Sequence, residues 1–206
     1  MADANTARIH DERAAVRSAI AERISRYEDL EKYRLAVVAT SAAEVVRCAG
    51  GLLFDRVMSG WDITVLVADS RDVRPLRILG VDVVDLEVAM EWRGHQQLCP
   101  QGLAVTADLF DSDERVRAGV LTTLAVGLTE VIVLGEHCPG PLEHEVSNAA
   151  HCLSTAARAF KFRALDAAAV TTGEVSRTEH FYANDVDRRS PANAYLVRKE
   201  LSDSSM

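Results

Sequence analysis

RLAVVATSAAEVVRCAGGLLFDRVMSGWDITVLVAD, residues 34–69, reads as a strand, a helix and a second strand in one unbroken stretch. Residues 35–39 are a short apolar run rich in valine, the length of a buried strand. Ser41 and Glu44 follow at capping-box spacing, with the hydroxyl serving one free backbone amide and the carboxylate another. Val45, Val46, Ala49, Leu52, Leu53 and Val57 then recur at helical spacing, and Gly60 stands where a left-handed residue ends a helix. Residues 63–68 form a second apolar run that closes on Asp69. Two such strands joined by one helix pair in parallel through a right-handed crossover.

Outward from that unit the pattern repeats. Pro75 opens a short helix that ends at Gly80, and residues 81–88 read as a third strand. Residues 91–102, with Trp92, Gly94, His95, Pro100 and Gly102, read as a loop or lid. A fourth strand over 103–107 precedes a helix over 113–126, capped by Asp111 or Ser112 and closed by Gly127. A fifth strand over 131–134 follows. After the Pro139-Gly140-Pro141 break, Leu142, Val146, Ala149, Leu153, Ala156 and Phe160 predict one helix over 142–162. The expected fold is α/β: a single three-layer domain with a mostly parallel sheet of about five strands. It comprises a long N-terminal helix (1–33), a core (34–165) and a C-terminal arm (166–206).

The arm is polar and without period, and it is expected to order only where Phe181-Tyr182 and Tyr195-Leu196 dock on the parent sheet or a neighbouring chain. Ile9, Val16, Ile20, Ile24, Tyr27 and Leu30 make a narrow apolar stripe on the N-terminal helix. That stripe suits packing on the parent domain, and it equally suits a helix–helix contact with a partner or a second copy.

A net charge of −8 disfavours nucleic acid or an anionic membrane as the main partner. No stretch reaches the roughly 20 apolar residues of a membrane span, and residues 1–13 lack the apolar core of a signal peptide. The expectation is a cytoplasmic protein with Cys48, Cys99, Cys138 and Cys152 as free thiols. Cys99, near His95 and Trp92, is the thiol to test for reactivity.

Neither a Gly-x-Gly-x-x-Gly nor a Gly-x-x-x-x-Gly-Lys-Ser/Thr motif occurs, so no cofactor is implied. The turn after the first strand offers no glycine or lysine to a phosphate, and Glu44 would repel one. No Gly-x-Ser-x-Gly elbow is present. Acids nevertheless gather at the strand ends: Asp69 after the second strand, Asp108 and Asp111 after the fourth, Glu136 after the fifth. Such acids can hold magnesium or supply a general base, and equally can cap helices in solvent. Glu136, His137, Cys138, His144, His151 and Cys152 are of types that zinc prefers. On the predicted helix His144 and His151 share an outward face, which makes them surface histidines before it makes them a metal site.

The run RAGVLTTLAVGLTEVIVLGE (117–136) resembles the helix and strand that precede the second acidic motif of RecA-type ATPases. GLLFDRVMSGWDITVLVAD (51–69) is similar in rhythm to the matching part of degenerate RecA-like proteins, bacterial cell-division inhibitors among them. The phosphate loop is missing, and Gly135-Glu136 replaces the family's acidic strand end. The resemblance implies a core that lost nucleotide hydrolysis and kept protein–protein contacts.

The reading these features favour is a non-catalytic module acting through contacts with a protein partner or with itself. The alternative is a small-molecule or nucleotide-binding enzyme that uses Asp69, Asp108 and Glu136, with residues 91–102 as a lid.

Overall fold

β1 (Arg34–Ser41) and β2 (Asp62–Asp69) lie side by side in parallel, with Leu35 opposite Ile63 and Val37 opposite Val65. The helix between them, α1 (Ala42–Met58), begins at Ser41. The Ser41 hydroxyl accepts the Glu44 amide at 3.3 Å, and the Glu44 carboxylate accepts the Thr40 amide at 3.0 Å. The Glu44 amide is one that the first turn of a helix leaves without an internal partner, and the Glu44 carboxylate ties back to the residue before the cap, so the box sets the start of α1. Gly60, with φ +87°, supplies the left-handed turn beyond its end.

The computed structural model describes residues 32–91, 100–171 and 173–184, and the backbone of 197–198. Lys32 apart, these belong to one unit, Tyr33–Met206. The expected stripe of Ile9, Val16, Ile20, Ile24 and Tyr27 lies outside the described residues, as do Trp92, His95 and Cys99 of the expected lid and Tyr195-Leu196 of the expected arm. The free cysteines among the described residues are Cys48, Cys138 and Cys152. No helix among those residues is long and apolar enough to cross a membrane.

After β2 come α2 (Arg74–Ile78), β3 (Asp82–Asp85), α3 (Leu86–Glu91) and β4 (Gly102–Thr106). The expected third strand stops early because Asp85 turns its carboxylate onto the amides of Glu87 and Val88 and starts a helix there. Two helices follow β4: α4 (Ala107–Ser112) and α5 (Glu114–Val126). The cap of α5 is Asp113, not Asp111 or Ser112, since its carboxylate takes the Arg115 and Val116 amides. β5 (Glu130–Leu134) then joins the parallel set.

The remainder departs from expectation. In place of one helix over 142–162 the chain forms a 3₁₀ turn (Gly140–Leu142), β6 (Ser147–Cys152) and α6 (Thr155–Ala167). The apparent stripe was divided between two cores: Leu142 and Val146 pack on one face of the sheet, Ala149 and Leu153 on the other. Phe160 is exposed. β7 (Thr178–Ala183) enters the sheet between β5 and β6, antiparallel to both, and the two-residue β8 (Val197–Arg198) pairs with β6. Residues 178–183 are therefore part of the sheet and not of an arm. Phe181, expected to dock on a partner or on the sheet, is 1% exposed inside the core, and Tyr182 packs on the opposite face.

Among the described residues eight strands run in the order β3-β2-β1-β4-β5-β7-β6-β8, against the five expected, and the α/β class stands. One core cluster joins the sheet to α1, α2 and α6, and the other joins it to α3, α4 and α5. Helices therefore cover both faces, and the strands alternate between them: Val37 and Ala39 face one cluster while Val38 faces the other. The order reverses between β1 and β4. That gap is the topological switch point, where the loops leaving two parallel strands diverge to opposite faces and open a crevice at the carboxyl edge.

Candidate functional site

A cleft of about 490 Å³ opens at that switch point. Thr40 and Ser41 line it from the end of β1, Ala43, Glu44 and Arg47 from the first turns of α1, Asp108 and Ser112 from α4, and Val170 from the chain after α6. Thr40, Arg47, Asp108 and Ser112 are exposed to solvent. Glu44 is partly committed to the capping box, so Arg47 is the cleft's cation and Asp108 its freer carboxylate.

Arg47 sits in a field that holds its proton. The neighbouring Cys48 side chain raises it most, burial opposes, and the charges of Glu44 and Glu136 add to the rise. Burial pushes the Cys48 thiol up, so at neutral pH it is a neutral packing group rather than a nucleophile.

Beside the cleft stands a second pair. Asp111, on α4 between Asp108 and Ser112, lies 2.9 Å from Nε2 of His137, on the loop after β5. Both side chains are about half exposed. A carboxylate that holds one imidazole nitrogen sets the tautomer and leaves the other nitrogen to exchange protons, the arrangement general acid–base catalysis uses. Sequence adjacency carried a signal for this pair, since β4 and β5 are consecutive parallel strands and the loops after them are neighbours. Arg47 had a weaker signal, its spacing of three residues from Glu44 on the face of α1 that meets the carboxyl edge.

The other expected site residues are distributed as follows. Asp69 closes β2 and is bound by Arg71 at 2.5 Å; that side-chain pairing, with the Arg71 backbone amide, holds its carboxyl at about 2. Glu136 is exposed just past β5 and reaches the cleft through its charge on Arg47. His144 is exposed in the turn before β6. His151 is no surface histidine: it is 7% exposed on β6, with Nε2 2.9 Å from Asp55 of α1. That Asp55 oxygen also accepts the Ser154 amide at 3.1 Å, so the pair clamps the end of α1 to the β6–α6 junction. A second cleft of about 510 Å³ adjoins this clamp, at the sheet edge opposite the switch point.

Among the described residues no three His, Cys, Asp or Glu side chains are grouped so as to hold a metal ion. From the β1 turn the cleft is lined by Thr40, Ser41 and Ala43, none of them a His, Cys, Asp or Glu. What the cleft offers chemically is a guanidinium, a carboxylate and hydroxyls, and the short helix that lines it also carries the Asp111 that holds His137.

Solved structures with this fold include deacetylases. One is the deacetylase of the teicoplanin biosynthesis pathway, at TM-score 0.52 and 12% identity over 82% of this chain and 100% of that one. Another is the antimicrobial reagent A40926 pseudoaglycone deacetylase, at TM-score 0.51 and 12% identity over 82% and 99%. At that identity the likeness is one of fold. No protein-family model matches the sequence, and no curated protein matches it. The likeness corrects the expectation of a non-catalytic module, since the solved structures found to share the fold are deacetylases. It turns the account to the alternative, an enzyme built on the strand-end acids.

Proposed function

We propose that the chain is a small-molecule enzyme working in the switch-point cleft, and that its reaction is hydrolysis of an amide in a small polar substrate. The observation that carries the reading is a crevice at the carboxyl ends of β1 and β4 lined by Arg47, Asp108 and Ser112, with Asp111, on the same short helix as Asp108 and Ser112, holding His137. In this reading Arg47 holds an anionic or carbonyl group of the substrate, as a guanidinium does best. Asp108 and the Thr40 hydroxyl orient its polar substituents. His137, held by Asp111, takes a proton from water as the water attacks the carbonyl carbon and returns one to the departing nitrogen. The C–N bond breaks, a carboxylic acid and an amine leave, and the imidazole ends as it began. The deacetylases that share the fold cleave an acetyl group from their substrates, which makes N-acetyl compounds the first to test.

The experiment is a panel of N-acetylated sugars, amino acids and peptides, with acetate release followed by proton NMR. The expected result is turnover of at least one member, lowered about 10²- to 10⁴-fold by His137→Gln, the usual contribution of a positioned general base. Turnover that survives both His137→Gln and Arg47→Ala, or a panel with neither turnover nor binding, overturns the reading.

A further inference from the structure

In a regular α-helix the carbonyl of Arg47 and the amide of Gly51 are each other's partners, four residues apart. In α1 both ends of that rung meet a buried ion pair. Lys161 Nζ donates to the Arg47 carbonyl oxygen at 2.8 Å, and the Gly51 amide donates to Glu179 Oε1 at 2.9 Å. Glu179 Oε2 accepts the next amide, Leu52, at 2.7 Å, and Lys161 Nζ donates to Glu179 Oε1 at 2.6 Å. The two side chains are only 10% and 4% exposed. Each charge is thus neutralised by the other, and each spends further hydrogen bonds on the backbone of one helix.

We propose that Lys161 and Glu179 are positioning residues for Arg47 and thereby for the cleft, an inference whose functional weight rests on the reading of that cleft given above. The pair stands behind the cleft wall and is absent from its lining. It grips α1 at the residue whose side chain lines the cleft. Lys161 also belongs to α6, and the chain leaving α6 brings Val170 to the same cleft. One ion pair therefore ties two walls of the cleft to each other and to β7. An apolar pair of similar volume would pack as well and hold neither backbone group, so burial alone does not call for charge here.

The test is NMR on the wild-type chain, on Lys161→Met and on Glu179→Gln, with Val120→Ala in the other core cluster as the control for lost stability. In Lys161→Met the amides of Gly51 and Leu52 are expected to exchange roughly tenfold faster or more, and the Arg47 Nε–Hε resonance to move. Glu179→Gln, which keeps an acceptor oxygen, gives a smaller change in the same direction. Val120→Ala lowers the melting temperature and leaves the Arg47 resonance in place. Folded Lys161→Met and Glu179→Gln chains with an unmoved Arg47 resonance overturn the proposal. Should neither variant fold, the wild type decides: slowly exchanging Lys161 ammonium protons coupled to the Arg47 carbonyl support it, and rapid exchange overturns it. No ligand enters these measurements, so a cleft that binds nothing refutes the cleft reading and leaves this one standing.

Discussion

A methyl group placed on Gly51 would stand 2.1 Å from Cδ2 of Leu153 and 2.5 Å from its Cγ. Leu153 lies at the junction of β6 and α6, so the missing side chain of Gly51 is what lets α1 close on that junction. Gly51→Ala is expected to lose about 1–3 kcal/mol through overpacking, offset in part by the roughly 1 kcal/mol that alanine gains within a helix. Gly119, on the exposed face of α5, has nothing within 4 Å of such a methyl. Gly119→Ala should therefore stabilise by about 0.5–1 kcal/mol. Urea unfolding of both variants checks the opposite signs.

The end of α6 makes a second prediction. The Ala169 amide donates to the Asp166 carbonyl and the Val170 amide to that of Leu165, both at 3.0 Å, which is a Schellman ending. Its left-handed position, where glycine is favoured, is occupied by Ala169 at φ +54°. Ala169→Gly should raise stability by about 0.5–1 kcal/mol in thermal unfolding. Since Val170 lines the cleft, the variant also tests whether that turn can relax without changing ligand binding.

Asp113 gives a prediction in pH. Its hydrogen bond to Arg115 lowers its carboxyl to about 2, with help from the Arg115 and Val116 amides against burial. A carboxyl whose folded value lies below its unfolded one adds stability that is fully present above the unfolded value, near 4, and is lost as pH falls toward 2. Carbon-13 titration should find Asp113 still ionised at pH 3. In Arg115→Ala the carboxyl should move back toward the ordinary range. An Asp113 that titrates near 4 in the wild type contradicts the geometry.

Arg47→Ala should leave stability within about 0.5 kcal/mol, because the side chain is exposed and its carbonyl, which Lys161 holds, remains. Binding of an N-acetyl ligand should fall by at least about tenfold. A stable variant with unchanged affinity would remove Arg47 from the site.

What the sequence made legible was local. The capping box of Ser41 and Glu44, the period of α1 and the valine runs of β1 and β2 lie within one stretch, and each predicts its element without help from elsewhere. β6 and β7 have no such autonomy. Ala149 and His151 are small or polar, and β6 is a strand because β7 lies beside it, register by register from Ser147 with Ala183 to Cys152 with Thr178. Helical spacing between Leu142 and Phe160 was accidental, since its members serve two cores. The same limit governs the site. Asp69, Asp108 and Glu136 follow from the rule that parallel strands end on one edge, and the same rule makes the loops that carry Asp111 and His137 neighbours, whereas the Lys161–Glu179 grip on α1 joins residues of α6 and β7 whose meeting with α1 only the assembled sheet decides.

The central claim is that the switch-point cleft, and not the cleft beside Asp55 and His151, takes the small molecule. Amide chemical-shift mapping with an N-acetylated member of the panel tests it most directly. The account predicts perturbations gathered on residues 40–47, 108–112 and 170, with the His137 ring protons moving as well. Perturbations centred on residues 54–59 and 151–156, or shifts scattered without a centre at saturating ligand, would contradict it.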